Sequence, residues 1–152
     1  MAELMNDADD AASPLVEGRS CGDCHLCCKV FPIEETGKPD DGWCPHLDPA
    51  RGCAIHADRP GPCREFFCLW RYDASLGDDW KPCNAGFVLH DPAPFALFIT
   101  EDVDNPGAWR RDPYEGDFRS FARDLISKQY FVGYRRGERT MLLLKDGEIE
   151  LK

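Results

Sequence analysis

Apolar positions change their spacing along this chain, and the changes mark out its elements. Gly86-Phe-Val-Leu-His90 and Phe95-Ala-Leu-Phe-Ile-Thr100 are short apolar runs separated by Asp91-Pro-Ala-Pro94, which reads as two strands joined by a turn. Phe118, Phe121, Leu125 and Ile126 then recur at spacings of three, four and one, giving one buried helical face. Asp112 or Asp117 can start that helix. Tyr130-Phe-Val-Gly-Tyr134 and Thr140-Met-Leu-Leu-Leu144 read as a second hairpin around Arg136-Gly137. The order strand, strand, helix, strand, strand predicts an α+β fold, a small antiparallel sheet with one helix on one face.

The residues before Gly86 follow no such period. Residues 1–18 are small and acidic, with Asp7, Asp9, Asp10 and Glu17, and read as a flexible leader. Residues 19–152 then form a single domain, divided into a cysteine-rich part (19–83) and the sheet with its helix (84–152). Ser20 can cap a short helix beginning at Cys21. From Phe31 to Gly52, prolines and glycines recur so often that the segment must be mostly loop. Asp58 with Pro60 and Pro62 predicts a second helix start, running through Arg64 and Phe67 to about Tyr72.

Charge and length narrow the function. The chain has 152 residues and a formal net charge of −10, so a nucleic-acid phosphate backbone would be repelled. Arg110-Arg111 and Arg135-Arg136 with Arg139 are too short to form a binding stripe and read as solvated surface. No apolar run approaches the ~18–20 residues of a membrane span. The first ten residues have neither a basic flank nor an apolar core, so they do not read as a secretory signal. A cytoplasmic protein follows as the expectation, with a protein or redox partner and without nucleic acid or membrane.

A reducing compartment changes the meaning of nine cysteines. Thiols there stay reduced, so metal ligation accounts for them better than disulfides do. The first group is Cys21-x-x-Cys24-x-x-Cys27-Cys28, and Cys44, Cys53, Cys63 and Cys68 follow. Two thiolates two residues apart can chelate one ion or cluster from a single turn. On an ideal helix Cys21, Cys24 and Cys28 share a face and Cys27 lies well round from Cys28. That suggests either a multi-iron cluster or two neighbouring sites. Four thiolates held together without a cation would repel, and a metal removes the difficulty.

These residues resemble the cysteine-cluster family known for its CxxCxxCC motif, described as a zinc- or iron-chelating domain and often labelled as iron–sulfur proteins. A flagellin lysine methylase resembles the same group. The likeness covers about Cys21 to Cys68, including Cys53-Ala-Ile-His56 and Arg59-Pro-x-x-Cys63-Arg64. It implies that Cys21, Cys24, Cys27, Cys28, Cys44, Cys53, Cys63 and Cys68 hold metal. Cys83 falls outside the pattern, so its replacement is expected to leave metal content nearly intact.

Neither a ferredoxin run nor a zinc ribbon fits the spacing, because Cys28 directly follows Cys27 and only one Cys-x-x-Cys region exists. The family's labelling tips the choice towards an iron–sulfur cluster, with zinc as the alternative. The functions in view are redox or electron transfer, a structural zinc-binding interaction module, and a methylase-like enzyme. His46 and His56 read as loop residues or donors to a thiolate rather than ligands, and His25 as solvated. His90 ends a strand with no role to assign. Arg59 and Arg64 flank Cys63, either offsetting the charge of a thiolate centre or pairing at the surface. Trp43, Phe66, Phe67 and Trp70 are expected to shield the centre from water. Glu101-Asp-Val-Asp104 reads as a turn without a defined carboxylate role.

Overall fold

The computed structural model describes residues 15–19, 24–31, 42–48, 52–55, 58, 66 and 68–151. In chain order the elements are helix α1 (Cys27–Val30), strands β1 (Leu47–Asp48) and β2 (Gly52–Cys53), and helices α2 (Leu69–Tyr72) and α3 (Pro82–Ala85). Strands β3 (Phe87–His90) and β4 (Ala96–Glu101), helix α4 (Tyr114–Ser127) and strands β5 (Phe131–Arg136), β6 (Arg139–Leu144) and β7 (Gly147–Leu151) complete the order. The fold is α+β, with five strands in the order β3-β4-β5-β6-β7.

Both expected hairpins form. Leu89 pairs with Ile99 across β3 and β4, and Tyr134 pairs with Met141 across β5 and β6. The sheet is nevertheless mixed rather than antiparallel, because β4 and β5 run parallel, with Phe98 opposite Gly133. A parallel pair needs a crossover of a dozen or more residues. The segment holding α4 supplies it. Gly133 is required where these strands meet, since a Cβ there would lie 2.1 Å from the Met141 carbonyl oxygen and 3.0 Å from Phe98. A fifth strand, β7, joins β6 across Lys145 and Asp146.

Helix α4 buries Tyr114, Phe118, Ala122 and Leu125, at the spacing of one helical stripe. Phe118 meets Trp109 edge-on with ring centres 5.5 Å apart, and Tyr114 packs at 5.1 Å against both Trp80 and Phe87. The cysteine-rich part shares this core. Leu26, Val30, Cys68, Leu69 and Trp70 belong to the same buried cluster as Phe87, Leu97 and Val132. The two parts of the chain therefore fold around one interior.

The helices of the cysteine-rich part are shorter than the sequence predicts. Ser20 and Cys21 lie outside the described residues, but Cys24 and His25 are already non-helical and α1 starts only at Cys27. The helix expected from Asp58 to Tyr72 is confined, among the described residues, to α2. Cys68 before it is extended, with φ −67° and ψ 159°. Arg19 stands at the end of α2. Its guanidinium donates to the carbonyls of Trp70 (2.5 Å), in the last turn of α2, and of Asp73 (3.0 Å) and Leu76 (2.5 Å) in the turn that follows. The Val16 N–H donates to the Arg71 carbonyl at 2.8 Å, so the chain just before Arg19 is also docked here.

A buried cation joins the two parts. Lys29 on α1 is 5% exposed and its ammonium lies 2.7 Å from Asp102, with a second ion pair to Asp104. Burial works against its charge, yet the hydrogen bonds to both carboxylates outweigh that and hold its pKa above the ordinary lysine value. Asp102 and Asp104 thus have a defined role, where the sequence suggested a plain turn. Replacing Lys29 by Met should cost about 2–3 kcal/mol, less than a fully enclosed pair because Asp104 reaches water. Urea unfolding would register this as a lower midpoint with an unchanged slope.

Candidate metal centre

Seven of the nine cysteines lie among the described residues, and none of the seven is in a disulfide. Cys21 and Cys63, with His56, Arg59, Arg64 and Phe67, lie outside them. The remaining thiols are tied together mainly by backbone. The Cys28 N–H donates to the His25 carbonyl (2.9 Å), and the Cys28 carbonyl in turn accepts the Cys44 N–H at 3.1 Å. Cys44 closes a turn by accepting the Leu47 N–H at 3.0 Å, and Leu47 is paired with Cys53 in the β1–β2 ladder. Backbone contacts therefore link Cys28, Cys44 and Cys53 in succession.

Cys24, Cys44 and Cys68 are buried, at 8–9% exposure, while Cys27, Cys28 and Cys53 are half-buried. Cys68 stands apart from the loop cysteines in one respect, since its side chain is part of the sheet's core. Among the described residues no three His, Cys, Asp or Glu side chains are grouped as one metal-holding set. What the structure does bring together is a pair the spacing did not suggest. The backbone N–H of Cys83, at the start of α3, donates to the Cys24 sulfur at 3.2 Å. Burial, followed by the neighbouring Cys83 thiol, pushes the Cys24 thiol up to about 12.

The chemistry of this donor set suits a soft cation. Cys24, Cys44 and Cys68 are shielded from water, and one of these sulfurs already accepts a backbone N–H of the kind that steadies a metal-bound thiolate. With the proton displaced, Cys24 and the other thiols of the set would hold zinc or iron. Such a centre would supply either a structural tie or a one-electron redox couple.

The surrounding aromatic residues divide differently from the expectation. Trp70 is 5% exposed and sits in the core, and Phe66 is half-buried against Phe31, with ring centres 5.0 Å apart. Trp43 is 54% exposed, with the Lys29 ammonium over its ring at 5.4 Å, so most of its surface faces outward rather than covering the thiols. His25 and His46 are half-buried.

His90 has a role that sequence reasoning missed. It is buried between Phe31 and Phe66 and its Nε2 lies 2.8 Å from the Thr100 hydroxyl. It thus anchors the segments next to Cys28 and Cys68 onto β3. Burial, then the charge of Arg135, lowers its pKa to about 4. The unfolded chain takes up this proton near pH ~6.5 and the folded chain only near 4, so stability is whole above the first value and falls between the two. The loss should reach roughly 3 kcal/mol by pH 4. A His90→Gln variant, unfolded in urea from pH 7 to pH 4, should show a visibly flatter dependence. An unchanged slope would remove His90 from the account.

A polar hollow of about 270 Å³, lined by Arg19, Trp70, Asp78 and Lys81, opens near α3. Its volume is below the ~300–1,000 Å³ of sites that enclose a cofactor-sized molecule. No helix among the described residues is long and apolar enough to cross a membrane. No family model, curated protein or solved structure compared with this chain matches it.

Proposed function

We propose that this chain is a metal-binding protein whose cysteine-rich part holds an iron–sulfur cluster, or alternatively zinc, and that it serves redox or electron-transfer chemistry in the cytoplasm. The observation that supports the reading best is the concentration of thiols outside any disulfide, with Cys24, Cys44 and Cys68 buried. A buried thiolate needs a counter-charge, and a soft cation provides one. The resemblance to the CxxCxxCC family points the same way and gives Cys21, Cys24, Cys27, Cys28, Cys44, Cys53, Cys63 and Cys68 as the ligand set.

A structural zinc module uses the same residues. One feature favours it: the cysteine-rich part already shares a core with the sheet, so a closed metal site there would act as a staple. The methylase-like reading lacks a comparable support among the described residues.

Anaerobic purification followed by metal analysis and visible absorption tests the proposal. A brown protein with stoichiometric iron and sulfide supports the cluster. A colourless protein with stoichiometric zinc supports the staple. Protein prepared under reducing, oxygen-free conditions that retains neither metal, and takes up neither when supplied, overturns both.

A further inference from the structure

We infer that Cys83 is a ligand of the same metal centre, paired with Cys24. The inference rests on the metal-binding reading above and extends it to a residue outside the eight-cysteine pattern. Two observations carry it. Cys83 is the second residue of α3, which Pro82 starts and which Gly86, at φ +84°, ends in a left-handed turn into β3, so its position is tied to the sheet. Its own N–H reaches the Cys24 sulfur at 3.2 Å although 59 residues separate the two.

The pair is asymmetric in a way that suits loading from solvent. Cys24 is buried, while Cys83 is exposed. An incoming cation would meet Cys83 at the surface, where the thiol gives its proton to solvent as the metal–sulfur bond forms, and the cation would then take Cys24 as a further sulfur ligand. Each thiol releases one proton as its metal–sulfur bond forms. The consequence is mechanical as well as chemical. A metal held by both residues would tie the segment before α1 directly to α3 and through it to β3, the edge of the five-stranded sheet.

Zinc is the probe for the test, with the full chain reduced and stripped of metal. Zinc affinity, read by competition with a chromophoric chelator, is compared for the native chain, Cys83→Ser and Cys24→Ser. Serine keeps the backbone N–H on the Cys24 sulfur, so a merely structural contact would not register. Cys83 is exposed, and circular dichroism of the Cys83→Ser protein should be unchanged. Cys83→Ser is expected to bind zinc at least ~10-fold more weakly. In parallel, iodoacetamide should alkylate Cys83 at least ~10-fold more slowly in the zinc-loaded native chain than in the stripped one, as read by mass spectrometry. Equal zinc affinity for Cys83→Ser and the native chain, with Cys24→Ser impaired, would overturn this inference and leave the metal-binding reading standing. A native chain without zinc affinity would overturn both.

Discussion

Removing the proposed metal with a chelator is expected to open the segments around Cys44 and Cys53 while most of the five-stranded sheet stays folded. The reason lies in how little these segments add to the core among the described residues. Residues 42–48 and 52–55 contribute only Cys44 to the buried set, and their regular structure is a pair of two-residue strands. Such a ladder is not stable by itself in water. A structural thiolate–metal site contributes on the order of 10 kcal/mol, and that term would be the one removed. The sheet keeps most of its own supports, since Phe87, Leu97, Ile99, Phe118 and Val132 are fully buried and pack with one another in the core, to which residues 42–48 and 53–55 add only Cys44. Helices α1 and α2 should respond in an intermediate way, because Val30, Leu69 and Trp70 are packed into the common core. Hydrogen exchange with and without chelator would read this gradient. Equal protection of residues 42–55 in both states would sink the idea that a metal organises them.

The second large effect is expected at Arg136. Its guanidinium grips Glu101, with Nε 2.5 Å and Nη2 3.1 Å from the two carboxylate oxygens. The Glu101 side chain is completely enclosed, and its carboxylate also accepts the Gly107 N–H at 2.6 Å. Arg136 remains 39% exposed. The two partners are therefore unequal. Arg136→Ala leaves a buried carboxylate without its cation and should cost about 3–5 kcal/mol. Glu101→Gln removes the buried charge and lets Arg136 turn towards water, so its cost should be nearer 1–2 kcal/mol. Urea unfolding of both variants at neutral pH checks the asymmetry. Equal losses would mean that the pair is held by something other than the burial of Glu101.

Several of these supports were invisible in the chain for one reason. Glu101, Asp102 and Asp104 look like an acidic turn when only their neighbours are known. Their partners, Arg136 and Lys29, lie 35 and more than 70 residues away and meet them only after the sheet has formed. His90 is similar. Nothing local marks it, and its burial depends on Phe31 and Phe66 arriving from the cysteine-rich part.

What the sequence determined alone is the local pattern: the two hairpins, the amphipathic α4 and the α+β class. Turn residues and side-chain period act over a few residues, so they can be read without a fold. The concentration of cysteines before Gly86 was equally plain. Only the tertiary structure decided that β4 and β5 run parallel, that both parts of the chain share one core, and that Cys83 lies against Cys24. Each of these is a contact between distant segments, and its position depends on how the whole chain closes rather than on any residue's neighbours.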